Sequence, residues 1–387
     1  MRILHVIDTL DPAAGGPAES VRRILASYTD MGHSGEVVTL DDPTAPFLHE
    51  LQFPVHPLGP VSTTYGANPR LIPWLRANRQ RFDGAVSHGL WTFNGYATWK
   101  AFAGKLPYLI FPHGMLDPYF KHADRLKHLK KWIYWLVAQY WILRAAHRVL
   151  FTATAEARLA KQSFWLHSWK PTVVPYGASG PTGDPDTYRA AFFAQYPTLA
   201  GKPYLLYLSR IHPKKGCDLL IDAFAQIANS APGLQLVIAG PDQVGWVAKL
   251  QARAAAVGIA DRVHWPGMLR GDLKWGAYFG SEAFILPSHQ ENFGIVVAEA
   301  LACGKPALLA DKVNIAEDIK AAGAAFVEPD TADGTLNLLN AWLQTSPAER
   351  ERMSANALAC FHAHYDMREN AKATIHIFEE ITQGAQR

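Results

Sequence analysis

FILPSHQENFGIVVAEALACGKP, residues 284–306, runs from a short apolar strand through a polar turn into a helix. It carries two carboxylates eight positions apart, Glu291 and Glu299. On one continuous helix they would lie about 12 Å apart along the axis and about 80° apart around it, so they are not a helix-face pair. Gly294 instead places Glu291 in the loop before the helix and Glu299 one or two turns inside it. Upstream, YLLYLSRIHPKKGCDLLIDAF, residues 204–224, repeats the strand–turn–helix order and puts Arg210 and Lys215 on its turn. An acidic loop and a basic loop of this kind suit a site that grips a sugar and a diphosphate together. Arg offers a planar fork and Lys a point charge, both matched to phosphate oxygens and to the charge that grows on a departing phosphate. The amides of Phe293, Gly294 and Ile295 at the helix start add an anion site, leaving Glu291 for a sugar and Glu299 for a pair of ribose hydroxyls. The plainer alternatives are a solvated basic turn for Arg210 and Lys215 and an acidic turn complementing a helix dipole for Glu291. Lys214 reads as a bystander.

The rest of the chain supplies the frame. At 387 residues it exceeds the size at which one core stops growing, so two domains are expected. Apolar residues make up 49%, which excludes a disordered chain, and the net charge of +3 does not by itself imply nucleic acid. Cys217, Cys303 and Cys360 are far apart and odd in number, which argues for a reducing compartment rather than a disulfide framework. MRILHVIDTL reads as a first strand and not as a signal peptide. The longest uncharged apolar run, Trp132 to Leu143, is too short to cross a bilayer. A cytosolic protein is therefore expected, with contact at the inner membrane surface left open.

Strand signals at RILHVI, EVVTL, DGAVSHG, PYLIFPHG, HRVLFTA and PTVVPYG alternate with helical patterns. Pro17 to Tyr28 is the clearest of these, with Val21, Ile24, Leu25 and Tyr28 on one face. The stretch 179–203 breaks the rhythm with Pro, Gly and Asp and reads as a linker. A second series follows: PYLLYLS, GLQLVIAG, DRVHWPG, EAFILPS and KPALLA. Continuous apolar strands followed by helices favour parallel sheets covered on both faces, and two such units favour a cleft between them.

Weaker candidates lie in the first half. Gly15 and Gly16 follow the first strand and would let a ligand approach the backbone, although a plain tight turn explains them too. No dinucleotide fingerprint is present. His113, in LIFPHGMLDP, ends a strand and could hydrogen-bond a sugar hydroxyl or a developing charge; His88 has the same setting. Asp117 fits either the acceptor side or a turn before Pro118. Residues 121–148 begin with five Lys/Arg and one Asp up to position 131 and continue into Trp and Tyr. That suits an anionic membrane surface, but Trp132, Trp135, Leu136 and Tyr140 also have the spacing of a packed face. No nucleic-acid module appears.

Together these residues resemble the retaining glycosyltransferases of sequence family 4, the "glycosyl transferases group 1" superfamily. Ser209-Arg210, Lys215-Gly216, Gly240-Pro241, Pro266-Gly267, Pro287-Ser288, Glu291, Phe293-Gly294 and Glu299-Ala300 occur in family order. The resemblance implies a GT-B fold, α/β, with two Rossmann-like domains facing across a cleft: an acceptor-side domain over 1–185 and a nucleotide-sugar domain over 186–365. A C-terminal helix, 366–387, would return to the first domain. It further implies that Arg210 and Lys215 contact the donor diphosphate, Glu299 the ribose and Glu291 the donor sugar. Gly16 would lie near the phosphate, His113 near the sugar, and Gly240, Met268 and Leu269 in donor-binding turns, the last two at the base. No metal and no cofactor are implied, a UDP- or GDP-sugar being a substrate. SHGLWTFNGY, PHGMLDPYF and KKWIY resemble the subgroup that builds bacterial exopolysaccharide, capsule or O-antigen on lipid-linked or free saccharide acceptors. Transfer would proceed with retention, a leaving-group oxygen taking the acceptor proton. A nucleotide-sugar epimerase of related fold and a non-catalytic membrane-associated scaffold remain as alternatives.

Overall fold

The computed structural model describes residues 1–14, 16–118, 121, 125–174 and 176–385. They form two compact units, one of Met1–Gly177 with Met367–Arg387 and one of Ala178–Asp366.

In the first unit seven parallel strands lie in the order β3-β2-β1-β4-β5-β6-β7. They are β1 (Arg2–Val6), β2 (Ser34–Thr39), β3 (Val55–Pro57), β4 (Gly84–His88), β5 (Tyr108–Phe111), β6 (Arg148–Phe151) and β7 (Pro171–Val173). Its counterpart in the second unit has six parallel strands in the order β10-β9-β8-β11-β12-β13. These are β8 (Tyr204–Leu208), β9 (Gln235–Ala239), β10 (Val263–Gly267), β11 (Ala283–Leu286), β12 (Ala307–Ala310) and β13 (Ala325–Glu328). Every residue of β4, β5, β9, β11 and β12 is buried, as continuous apolar strands between two helix layers must be. In each sheet the strand order reverses once, between β1 and β4 and between β8 and β11. Loops at such a switch point diverge and leave a crevice at the carboxyl ends.

Two expectations need correction, and two strands went unread. Strands β3 and β13, of three and four residues, had no clear sequence signal. Residues 179–203 are not a loose linker: they contain a helix, Pro185–Gln195, capped by Asp184, which accepts from the Thr187 N–H at 2.8 Å. That helix lies so close to Gly271–Gly280 that a Cβ on Gly276 would sit 2.2 Å from the Tyr188 carbonyl oxygen. Leu136, expected on the packed face of 121–148, is 51% exposed. The segment is helical over Arg125–Tyr134, takes a π turn over Trp135–Gln139 and resumes over Tyr140–Ala145. Trp135, Ala138, Gln139 and Ile142 turn inward, Trp135 stacking on Phe164 with ring centroids 4.1 Å apart. Leu129, Ile133, Leu136, Val137 and Trp141 face outward.

The last helix, Met367–Ala385, lies on the first unit against the helix Gly16–Asp30. Phe378 is fully buried over Gly84 of β4, where any side chain would collide with its ring.

Candidate active site

In the second unit, β8 leads through Arg210 into a single 3₁₀ turn, Pro213–Lys215, and Gly216 then opens the helix Cys217–Ile227 with φ +68°. Only glycine serves there, because a Cβ would stand 2.1 Å from the Pro287 carbonyl oxygen in the loop after β11. The two loops therefore touch, and Lys215 Nζ, which is buried, makes an ion pair with Oε2 of the partly exposed Glu291. Lys215 and Glu291, expected on opposite tasks, are direct partners. The Glu291 backbone is pinned by Lys312 (N–H to O, 3.0 Å) and Asn314 (N–H to the Glu291 carbonyl, 3.1 Å).

Gly294, at φ +75°, ends that loop and begins the helix Ile295–Ala302, and Phe293 is buried edge-on to Tyr365. Glu299 sits inside the helix and is itself buried. Lys274 Nζ donates to its Oε1 at 2.8 Å, and the Tyr278 hydroxyl, with one proton to give, stands 3.3 Å from its Oε2 and 3.0 Å from the Val296 carbonyl oxygen. Burial, reinforced by the Glu299 charge, holds the Tyr278 hydroxyl far above the usual phenol range, so it remains a donor. Each carboxylate oxygen keeps a free lone pair. Sequence reasoning missed Lys274, a lone cation in the helix Gly271–Gly280 with nothing local to single it out.

Beside these loops lies a hollow of about 380 Å³ walled by Gly240, Gly267, Met268, Trp265 and Val247. Gly240 (φ +142°) accommodates the Ser209 carbonyl oxygen, which a Cβ would strike at 1.7 Å. Met268 is 55% exposed at its mouth, whereas Leu269 is buried outside the wall. Arg210 is exposed, its guanidinium donating to Gln243 Oε1 at 3.3 Å. Beside it burial, and then the charges of Arg210, Lys214 and Lys215, keep His212 below the ordinary histidine value.

In the first unit His113 follows β5 with φ +51°, and the Gly114 N–H beside it donates to buried Glu156 at 2.8 Å. His113 Nε2 lies 3.0 Å from His88 Nδ1. Asp117 N–H closes a turn onto the Gly114 carbonyl at 3.0 Å. Gly16 starts a helix with open space around it, and Gly15 lies outside the described residues. Asp8, just past β1, went unremarked in the sequence; burial pushes its carboxyl up to about 6, and Asn94 donates to it at 2.5 Å. Among the described residues no group of His, Cys, Asp or Glu could hold a metal ion.

Residues 189–359 match the family "Glycosyl transferases group 1", and residues 15–177 match "Glycosyl transferase 4-like domain". Similar proteins include a D-inositol 3-phosphate glycosyltransferase of Segniliparus rotundus, 29% identical over 178 residues, 45% of this chain and 39% of that one. An alpha-D-kanosaminyltransferase of Streptomyces kanamyceticus is 30% identical over 220 residues, 54% of each. The chain spans about half the length of the curated relatives it matches. Among solved structures, Anabaena HepE in complex with UDP has a TM-score of 0.75 at 20% identity over 100% of both chains. A sucrose-phosphate synthase of Thermosynechococcus elongatus has a TM-score of 0.75 at 19% identity over 99% of both. At such identities the likeness is one of fold. Each unit has its own family match, and together they take in most of the sequence: the chain has the GT-B fold and is related to the group 1 glycosyltransferases.

Proposed function

We propose that the protein is a retaining glycosyltransferase that moves a sugar from a nucleoside-diphosphate donor to a saccharide acceptor. The observation that carries this reading is the Lys215–Glu291 ion pair at the β8/β11 switch point, in the same unit as a hollow of about 380 Å³ that Ile211, from the Arg210 loop, helps to line. Lys215 has three donor hydrogens, enough to keep Glu291 and still meet a phosphate oxygen. Arg210 and the free amides at Gly294 and Ile295 take the remaining diphosphate charge, and the ribose hydroxyls donate to Glu299. The base lies in the hollow at Met268. A UDP-sugar is the first donor to try, since the similar HepE was solved with UDP and with UDP-glucose. In the reaction the bond from the sugar C1 to the phosphate oxygen breaks and a bond from C1 to the acceptor oxygen forms on the same face. The acceptor proton passes to the departing phosphate oxygen. Glu291 orients the sugar and supports positive charge at C1, while His113 hydrogen-bonds a sugar hydroxyl.

A lipid-linked acceptor at an anionic membrane surface, as in exopolysaccharide, capsule or O-antigen assembly, is the finer reading. It rests on the outward apolar stripe Leu129, Ile133, Val137 and Trp141, and on Trp165, which is 77% exposed and stacks on Trp132. Residues 125–183 hold nine Lys/Arg and one acid, Glu156, which is buried and already hydrogen-bonded. No helix among the described residues is long and apolar enough to cross a membrane.

Purified protein, a panel of UDP-, GDP- and ADP-sugars and short lipid-linked acceptors test the assignment, with product followed by mass and anomeric NMR. Transfer with retained configuration is expected, falling about 100-fold or more in Lys215→Ala and Glu291→Ala. Isomerisation of a donor without acceptor would establish an epimerase, and donor binding without turnover would favour a scaffold.

A further inference from the structure

Three imidazoles stand in series below the carboxyl end of the first sheet. His5 Nδ1 lies 2.9 Å from His88 Nε2, and His88 Nδ1 lies 3.0 Å from His113 Nε2. The rings are nearly parallel, each neighbouring pair inclined by 18°, with centroids 5.1 and 5.3 Å apart. A nitrogen–nitrogen contact this short holds one proton, because two lone pairs repel and two N–H groups collide. A neutral imidazole carries one N–H. His88 must then donate through one nitrogen and accept through the other, which leaves two arrangements of the whole chain: every ring protonated on Nδ1, or every ring on Nε2. An imidazolium would break the alternation, and burial pushes His5 down to about 3 and His113 to about 4.

The inner end decides between them. His5 is fully buried in β1, and its Nε2 has no hydrogen-bond partner among the described residues. A proton there would be a stranded buried donor, which native structures avoid more strictly than an under-used acceptor. We propose that His5 and His88 are positioning residues that lock His113 as its Nδ1–H tautomer, so that His113 presents a fixed donor to a ligand oxygen. Free neutral histidine favours Nε2–H in water, so the expected pattern is the reverse of the unconstrained one. The consequence for turnover rests on the reading above, in which His113 meets a sugar hydroxyl; the tautomer itself does not.

Long-range proton–nitrogen correlation spectra of the full chain, labelled with ¹⁵N-histidine and assigned by single His→Phe changes, test it at pH 7.5 without substrate. Protonated Nδ1 and bare Nε2 are expected for His5, His88 and His113 alike. His113 found as Nε2–H, or averaging between tautomers, would overturn the proposal. In His88→Phe, His113 loses its lock and averages, whereas His88→Asn, which keeps a donor near the Nδ1 position, preserves the Nδ1–H signal. Should His88→Phe fail to fold, His5→Phe gives the same comparison from the other end. In the transfer assay kcat falls about tenfold in His88→Phe with donor KM within twofold, and His88→Asn recovers most of it. A protein with the expected tautomers and no transferase activity overturns the assigned reaction and leaves the histidine chain standing. Transfer with the wrong tautomer does the opposite.

Discussion

His5, His88 and His113 are kept neutral by burial in the folded chain, with His5 pushed down to about 3, His113 to about 4 and His88 well below its usual value. Unfolded, each would take a proton near pH 6.5. Below that pH the unfolded state binds protons the folded state refuses, so stability falls as pH falls, by about 1.4 kcal/mol per pH unit for each site. Asp8 acts in the opposite sense: with its folded value raised to about 6, it holds a proton between roughly pH 4 and 6 that the unfolded chain has released. It offsets one histidine and leaves a net loss. Urea midpoints should therefore drop from pH 7 to pH 5, and His5→Phe should flatten the slope; an equal slope in the variant would remove His5 from the account. At this scale the sequence pointed to Lys215, Glu291 and His113 because each lies on a turn after a strand, and to Glu299 because it follows Glu291 by eight positions, inside the next helix. It could not reveal that Lys274 meets Glu299 or that His5 lies behind His88, since those pairs are 25 and 83 residues apart.

Among the elements, the turn from β8 into the helix Cys217–Ile227 depends most on one residue. Gly216 combines a left-handed backbone with a close approach to Pro287, whereas Gly201, at φ +73°, has open space around it. Gly201→Ala should cost only the left-handed strain, about 1–2 kcal/mol. Gly216→Ala should cost at least about 1 kcal/mol more and weaken nucleotide binding, because the Arg210 and Lys215 loop must move off the Glu291 loop. Denaturant midpoints and UDP titrations of the two variants make the comparison; equal stability losses would mean that the loops do not need each other. Most strands were legible as apolar runs with turn residues at their ends. β3 and β13 were not, because VHP breaks its apolar run with His and Pro and AFVE is buried only at alternate positions. Residues 179–203 misled for a different reason. Asp184 and Pro185, which look like linker residues, are the cap and first turn of a helix.

Across the whole molecule, charge is unevenly distributed. The +3 total divides into nine Lys/Arg and one acid over 125–183, leaving 28 Lys/Arg and 33 acids elsewhere. Vesicles of phosphatidylglycerol should bind the protein at least tenfold better than phosphatidylcholine at 0.1 M salt, and 0.5 M salt should remove most of that difference. Ile133→Glu with Val137→Glu should abolish binding without unfolding, since both side chains face outward. Equal binding to neutral vesicles, or an unaffected double variant, would dispose of the membrane face. The sequence by itself determined the α/β alternation, the family and the strand–turn–helix units that carry the acidic and basic loops, because hydrophobic period and turn chemistry are properties of neighbouring residues. Only the tertiary structure decided which loops meet. The order of parallel strands sets β8 beside β11 and β1 beside β4, and so pairs Lys215 with Glu291 and aligns three histidines that no local pattern connects.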